Sequence, residues 1–549
     1  MLRIALAQLN YHVGNLTFNK KIILDKIQQS ILQNVDLLVF SELALCGYPP
    51  LDLLNYEHFI ESCNNDLNEI AQHCKNISVI IGTPTVNPDI NGKNLFNSAV
   101  LIQNGEITDI RNKSLLPTYD IFDEYRWFEQ NKSFACVEVK GVKIALTICE
   151  DLWNMDADPL YTNWPMNELV KELPSLMVNI AASPFNFNHE EERKNILRKN
   201  VAAYHLPLIY VNQIGANTDV VFDGGSLAMN ADGNIIKELD YFKEDFLIVE
   251  FDNNSKSFLA DKKVNYETPS KISKINNALI LGIKDYFGKS GFKKAIVGLS
   301  GGIDSAVVLS LAAEALGAEN VHAVLMPSEF SSQHSIDDAL QLVEKLNCSH
   351  EIISIADIFN RYEAALADSF KGTSFNVAEE NIQSRIRGTL LMAISNKFGY
   401  ILLNTSNKSE LAVGYGTLYG DMNGGLSVIG DLYKTEVYEL ANYINRKSEI
   451  IPVNTITKAP SAELRPNQKD SDSLPDYDLL DAILFEYIEK TKSVQSIIQK
   501  LNNADVVTKV IKMVNANEWK RHQFAPIIRV STKSFGRGRR MPIVAKYDL

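Results

Sequence analysis

Cysteine pairs, long apolar runs, low-complexity tracts and an excess of positive charge are all missing from this chain of 549 residues. Its six cysteines, at positions 46, 63, 74, 136, 149 and 348, include no Cys-x-x-Cys pair. That excludes a disulfide-framed scaffold and the usual zinc ribbon, and it fits a reducing cytoplasm. No apolar run reaches the roughly 20 residues that a membrane-crossing helix needs. The opening Met1-Leu-Arg-Ile-Ala-Leu-Ala-Gln-Leu9 reads as a strand and lacks a signal peptide's cleavage region. A formal net charge of -13 argues against general binding to nucleic acid or to an anionic membrane surface. The one basic run, Arg529, Lys533, Arg537, Arg539 and Arg540, could be a nucleic-acid patch, a substrate-phosphate clamp, a solvated face, or a packed or subunit-contacting tail.

What is present begins with length: a chain of this size is expected to divide into two domains, each with its own core. Short β-branched strands fill the first half, at Arg3 to Gln8, Asp36 to Phe40, Val79 to Gly82, Ser98 to Gln103, Val142 to Ile148, Met177 to Ala181 and Leu208 to Asn212. Helical stretches separate many of them, and Asn104-Gly105 and Asp232-Gly233 read as tight hairpin turns. Glu42, Lys113 and Cys149 each stand just past a predicted strand, where side chains gather at a sheet edge. A thiol nucleophile needs a base for its proton and a fixed cation for the developing oxyanion, and these three residue types supply those parts. Taken singly, each also suits a bland role: an inert core thiol, a solvated lysine, a helix-start carboxylate.

Periodicity fades between about Asn253 and Ser270, where a linker is expected, so that the domains run 1–252 and 271–549. Beyond a helix at Lys274 to Phe287 comes Lys294-Ala-Ile-Val-Gly-Leu-Ser-Gly-Gly-Ile-Asp-Ser-Ala306, a buried strand, a glycine-rich turn and the start of an apolar helix. Gly298, Gly301 and Gly302 let backbone N–H groups turn inward, and the helix start at Asp304 and Ser305 adds the positive end of its dipole: an anion site. Asp304 stands where a Walker loop needs lysine, so this is no kinase-type P-loop, and an Asp beside phosphates suggests Mg2+. Strands Val321 to Met326, Glu351 to Ile355 and Tyr400 to Asn404 alternate with helices at Ala306 to Leu316, from a Ser335 cap, and at Gln383 to Lys397. That order predicts a doubly wound parallel sheet with ligands at its carboxyl edge.

Three segments carry a resemblance: Ser41-Glu-Leu-Ala-Leu-Cys-Gly-Tyr-Pro-Pro50, Arg111-Asn-Lys-Ser-Leu-Leu-Pro-Thr-Tyr119 with Phe122-Asp-Glu124, and Ile148-Cys-Glu-Asp-Leu-Trp153. They resemble the signature segments of the nitrilase superfamily. This implies an αββα sandwich that hydrolyses an amide through a thioester on Cys149, with Glu42 as base, Lys113 stabilising the intermediate and Glu124 a supporting carboxylate. In glutamine-using members Tyr119 and Ser183 of Ser183-Pro184-Phe185 hold the amino acid. His189 stands where many relatives have lysine, which weakens the expected grip on the substrate carboxylate; it also reads as a polar residue before a helix.

Ser300-Gly-Gly-Ile-Asp-Ser305 resembles the pyrophosphate loop of the ATP-pyrophosphatases, and Thr405-Ser-Asn-Lys-Ser-Glu410 the ATP and metal segment of NAD synthetases. Glu380 to Gly388, Leu418 to Gly425 and Pro460 to Asn467 extend the match. The resemblance implies ATP held by Gly298, Leu299, Ser300, Gly301, Gly302, Ile303, Asp304, Ser305 and Thr405, and Mg2+ shared by Asp304 and Glu410. Deamido-NAD would lie at Asn381, Glu410, Asp421 and Lys520, under a mobile cover at Gly420 to Gly425. Gly430 and His522 depart from the usual residues near the lid and the substrate phosphates.

An amidase followed by an adenylating synthetase is the domain order of the glutamine-dependent NAD synthetase family. The order implies that glutamine, ATP and deamido-NAD are the substrates of a cytoplasmic homo-oligomer bound to neither nucleic acid nor membrane. Transfer of ammonia to another acceptor, as in GMP synthetase, and a nucleotide-binding regulator on a retired scaffold stay open at this point.

Overall fold

In strand β1 (Leu2–Gln8), Leu2, Ile4 and Leu6 point into one core while Ala5 and Ala7 point into another. The period of two therefore puts apolar surface on both faces of the sheet, which is the condition for a layered sandwich. The computed structural model describes residues 1–259, 269–466 and 468–546, and the chain divides into two units, Met1–Thr268 and Pro269–Leu549.

The first unit holds two main sheets. One contains β1, β2 (Leu37–Val39), β3 (Ser78–Val86), β4 (Leu95–Gln103), β5 (Glu106–Asn112) and two later strands. The other contains β6 (Val137–Val139), β7 (Val142–Ile148), β8 (Leu176–Ala181) and β9 (Leu208–Asn212), a small hairpin β10 (Ile214–Asn217) and β11 (Val220–Asp223) lying outside it, and β12 (Leu227–Met229) and β13 (Ile235–Glu238) completing it. With β14 (Asp245–Asp252) and β15 (Ser257–Phe258), the sheet orders are β15-β14-β1-β2-β3-β4-β5 and β13-β12-β9-β8-β7-β6. The centre of each is parallel, β1 to β3 in one and β7 to β9 in the other, and the flanks are antiparallel. Ile4, Leu6, Val39 and Ile80 meet Ile144, Leu146, Val178 and Ile180 between the sheets. The outer face of the first sheet packs on helices Leu16–Leu32 and Glu57–Gln72 through Ile23, Ile27, Phe59 and Leu67. Asn104 and Gly105 both have positive φ, 53° and 88°, as the two-residue turn joining β4 to β5 requires.

The expected linker at 253–270 starts too early. Asn253 to Lys256 is the turn of a hairpin whose second strand, β15, pairs with β14; the polar run there is turn chemistry. Residues 260–268 lie outside the described residues, and a helix Lys271–Ser290 starts directly after the Ser270 cap.

The second unit is built on five parallel strands, β16 (Ala295–Gly298), β17 (Val321–Leu325), β18 (Ser349–Ile352), β19 (Ile401–Asn404) and β20 (Leu426–Ser427), in the order β18-β17-β16-β19-β20. Helix Ile303–Leu316 is buried almost all round and ends at Gly317. Two boundaries differ from expectation: the helix expected to open at Ser335 starts at Gln333 after Ser332, and that expected from Gln383 starts at Val377, where Asn376 and Glu379 form a capping box. A separate helical cluster, including Leu480, Ile483, Val507 and Ile511, also buries Phe535 of the tail. Arg529 is buried and Arg539 bonds Glu518, so this part of the basic run is packed. No helix among the described residues is long and apolar enough to cross a membrane.

Candidate active sites

Glu42 is carried by a loop that leaves β2 and lies directly on β3. A Cβ at Gly82 would stand 2.3 Å from the Leu43 nitrogen and 2.5 Å from the Ser41 carbonyl oxygen, so only glycine lets the loop settle there. Glu42 is fully buried. Its Oε2 accepts the Ala182 N–H at 2.9 Å, and its Oε1 accepts Asn97 Nδ2 and Lys113 Nζ, each at 2.7 Å. Lys113, at the exit of β5, also donates to Glu124 Oε1 at 2.8 Å. Tyr48 donates its hydroxyl to the same oxygen at 2.8 Å.

One ammonium thus stands between two buried carboxylates. Burial opposes the charge on Lys113, but Glu124 and Glu42 outweigh it and raise its pKa well above the usual lysine value. Burial lifts Glu124 to about 7, with Lys113 opposing and Glu42 adding to the rise.

Cys149 opens the 3-10 turn Cys149–Leu152 after β7, with a left-handed φ of 42°. Asp151 holds that turn: it accepts Ile148 N–H at 3.0 Å and the N–H groups of Ser114 and Leu115 at 2.9 Å each. The same carboxylate therefore ties the cysteine turn to the residues that follow Lys113. Burial raises the Cys149 thiol well above its ordinary pKa, Glu42 adding and Lys113 opposing, so the resting sulfur is protonated and needs a base. The three expected residues come together, though not from one sheet edge: Glu42 and Lys113 leave the first sheet and Cys149 the second.

Two further groups adjoin this turn. Tyr119 donates to Glu150 at 2.9 Å and 3.1 Å, and Tyr161 donates to it at 3.0 Å. His189 is not a loop residue; it is the first residue of helix His189–Tyr204, stacked on Trp153 with ring centroids 4.8 Å apart and Nε2 2.8 Å from Ser183 Oγ. Burial lowers its pKa, so it is neutral at pH 7.

In the second unit the loop after β16 is pressed against the helix that follows β17. Gly301 has φ 82°, and a Cβ there would stand 2.1 Å from the Ser335 carbonyl oxygen. Ser300 Oγ accepts the Gly302 N–H at 3.2 Å, and Ser305 Oγ accepts that of Ser300 at 3.3 Å. Leu299 is different from its neighbours: its N–H is spent on Val324 at 2.9 Å and its side chain is buried, as is that of Ile303.

Asp304 accepts Asn407 Nδ2 at 3.0 Å and is bonded by Lys434, whose Nζ lies 3.7 Å from Glu410 Oε1. Burial and the charge of Asp304 lift Glu410 to about 8, against the pull of Lys434. Thr405 directly follows β19. Thr417 joins two more expected residues, donating its hydroxyl to Asn381 at 2.7 Å and its N–H to Asp421 at 2.6 Å. Lys520 donates to the carbonyls of Gly414 and Gly416 at 2.8 Å and 3.0 Å.

Sequence reasoning missed Asn97, Tyr48, Glu150, Tyr161 and Lys434. Asn97 could have been found as a polar residue inside the apolar strand β4. Lys434 could have been found as a cation at the first position of helix Lys434–Ile444, where the dipole favours an acid and a lysine needs a fixed partner.

A carbon-nitrogen hydrolase family model matches residues 3–258 and an NAD synthase model residues 275–524. The chain is 46% identical over 554 residues to the glutamine-dependent NAD(+) synthetase of Synechocystis sp., covering 100% of this chain and 99% of that protein. The chain belongs to the glutamine-dependent NAD(+) synthetases. The Acinetobacter baylyi synthetase is 41% identical over 550 residues, covering 99% of this chain and 98% of its own. The solved glutamine-dependent NAD+ synthetase of Acinetobacter baumannii in complex with ADP has a TM-score of 0.79 and 37% identity over 99% of this chain and 98% of that one. The synthetase from Cytophaga hutchinsonii, at TM-score 0.84 and 22% identity over 99% and 98%, shares the fold. The first unit is a nitrilase-type αββα sandwich and the second a doubly wound parallel-sheet NAD synthetase domain.

Proposed function

We propose that the first unit hydrolyses glutamine at Cys149 and the second makes NAD from deamido-NAD, ATP and ammonia, releasing AMP and diphosphate. The observation that carries this reading is that one chain holds a base, a cation and a buried thiol in one unit and a phosphate loop with paired carboxylates in the other.

At the first site Glu42 takes the Cys149 proton, and sulfur attacks the amide carbon of glutamine. Lys113 and a backbone N–H beside Cys149 stabilise the oxyanion. As the C–N bond breaks, Glu42 returns its proton to the leaving ammonia. Water, deprotonated by Glu42, then cleaves the thioester, and glutamate leaves while the thiol regains its proton. Glu124 holds Lys113 in place, and Tyr119, Ser183 and His189 hold the substrate.

At the second site a carboxylate oxygen of deamido-NAD attacks the α-phosphorus of ATP and the bond to diphosphate breaks. Ammonia then attacks the acyl carbon, the bond to AMP breaks and a proton is lost to solvent. The loop from Gly298 to Ser305 and Thr405 hold ATP, chiefly by backbone N–H groups, with Lys434 at its edge; Asn381, Glu410, Asp421 and Lys520 hold the dinucleotide.

Asp304 and Glu410 would hold Mg2+. Two carboxylate oxygens suit an ion that takes its other ligands from phosphate and water, and no group of three or more His, Cys, Asp or Glu able to hold a metal occurs among the described residues. Such an ion would offset the charge of the departing diphosphate. A homo-oligomer in a reducing cytoplasm is part of the same reading, supported there by six free cysteines.

The test is NAD formation from deamido-NAD, ATP and magnesium, by the wild type and Cys149→Ala, each with glutamine or ammonium. The variant is expected to lose only the glutamine-driven reaction. No NAD from either nitrogen source with folded wild-type protein would move the acceptor to another carboxyl or carbonyl compound.

A further inference from the structure

Arg387, on helix Val377–Phe398, takes no part in the mechanism above. Its Nε donates to the Met326 carbonyl oxygen at 3.0 Å, and its two terminal nitrogens have no hydrogen-bond or ion-pair partner among the described residues. A guanidinium carries five N–H donors, and those on the two terminal nitrogens are not among the buried unpaired groups, so they are open to solvent or a ligand. Burial lowers its pKa to about 10, against the charges of Asp421 and Glu463, yet it stays a cation at pH 7.

Its position is set from two sides. Gly298 pairs with Val324 in the parallel register of β16 and β17, so two residues further on Met326 is level with Ser300, the first serine of the phosphate loop. One helical turn beyond Arg387, Leu391 closes over Gly298 together with Met326. On the other side, the residue after Arg387, Gly388, lies against the carbonyl oxygens of Tyr419 and Gly420, the segment that leads into Asp421. The guanidinium therefore stands between the phosphate loop and the residues assigned to the dinucleotide.

We propose that Arg387 is a catalytic residue whose terminal N–H groups bind the transferred α-phosphoryl group of ATP and of the acyl-adenylate. This assignment rests on the synthetase reading above. As the carboxylate oxygen bonds to phosphorus and the bond to diphosphate breaks, negative charge spreads over the two non-bridging α-oxygens. A planar guanidinium matches such a pair of oxygens with two parallel N–H bonds. Lys434, the cation beside Asp304, is already engaged with that carboxylate. A brace for the Met326 carbonyl alone would need one donor and no charge.

The experiment measures diphosphate release with saturating ATP, deamido-NAD and ammonium, and ATP affinity by equilibrium binding, for wild type and for Arg387→Met, Arg387→Lys and Arg387→Ala. Arg387→Met is expected to lower the turnover rate about 100- to 1,000-fold, the range for a lost transition-state donor, while ATP affinity changes less than about 5-fold, since binding energy realised only in the transition state appears in kcat. Arg387→Lys should recover about 10-fold by keeping the charge, and added methylguanidinium should restore turnover in Arg387→Ala. Turnover within about 3-fold of wild type in Arg387→Met would overturn the assignment, because a lost donor to the reacting group costs far more. Equal loss in the Met and Lys variants with no effect of methylguanidinium would reduce Arg387 to a brace. Absence of diphosphate from the wild type would remove the synthetase reading, and this assignment with it.

Discussion

Lys113→Met takes away from Glu42 and Glu124 the only hydrogen-bonded cation they have among the described residues. Lys113 Nζ lies 2.7 Å from one carboxylate and 2.8 Å from the other, and all three side chains are at most 5% exposed. Removing one partner of a buried ion pair costs about 3–5 kcal/mol, because the remaining charge is left uncompensated. Here two carboxylates remain, and Asn97 Nδ2, 2.7 Å from Glu42 and 3.4 Å from Glu124, is a neutral substitute. The expected loss at pH 8 is therefore at the upper end, about 4–5 kcal/mol. It shrinks toward pH 6, since Glu124, already lifted to about 7, can then take up a proton at lower cost.

A second substitution separates charge from packing. Glu124→Gln alone costs about 1 kcal/mol, an ordinary hydrogen-bond change, because Glu124 is lifted to about 7 and is already partly protonated near neutrality. Combined with Lys113→Met it removes one of the two stranded charges and should recover roughly half the loss, about 2 kcal/mol. Urea unfolding followed by circular dichroism reads the stability, and glutamate release reads the chemistry. The double variant should be more stable than Lys113→Met while glutaminase stays about 100-fold or more below wild type, because the oxyanion has lost its cation. A double variant less stable than the single one, or a Lys113→Met protein within about 1 kcal/mol of wild type, would refute the charge argument.

Two other outcomes follow from the same reasoning. His189 is held below its usual pKa by burial and is neutral from pH 7 upward, so KM for glutamine should be flat between pH 7 and 8.5; His189→Lys should lower it about 5-fold by giving the substrate carboxylate a charged partner, and steady-state kinetics showing a higher KM would count against a substrate contact there. Lys408 is fully buried among Asp431 at 2.9 Å, Glu489, and Ser531 Oγ and the Lys533 carbonyl at 2.8 Å each, so Lys408→Met should cost about 3–5 kcal/mol in urea unfolding, and a loss below about 1 kcal/mol would refute the buried ion-pair argument at this site.

How far the sequence could be read depended on whether a residue's role is set along the chain or across it. Strands β7 and β9 are legible to the residue, because each is a short, mostly apolar and largely buried run. Strand β3 extends four residues past its expected end: Gly82-Thr-Pro84 reads as a break, yet Pro84 stays in register opposite Asn97. The residues that follow strands, Glu42, Lys113 and Cys149, announce themselves by position, since a charged group or thiol there emerges at a sheet's edge, and Asp304 does so as the acid opening a helix after a glycine-rich turn. Their partners do not. Asn97 is 55 residues from Glu42, and Lys434 is 130 residues from Asp304; each looks like an ordinary polar residue until the sheets bring it opposite a carboxylate. A motif shows one end of a contact, and what that end does is decided by burial and by the partner's charge. The same Asp-to-Glu pair that reads as a metal site in sequence is, in the fold, a pair of carboxylates beside one lysine, so under the proposed reading a magnesium–nucleotide complex would compete with Lys434 for Asp304.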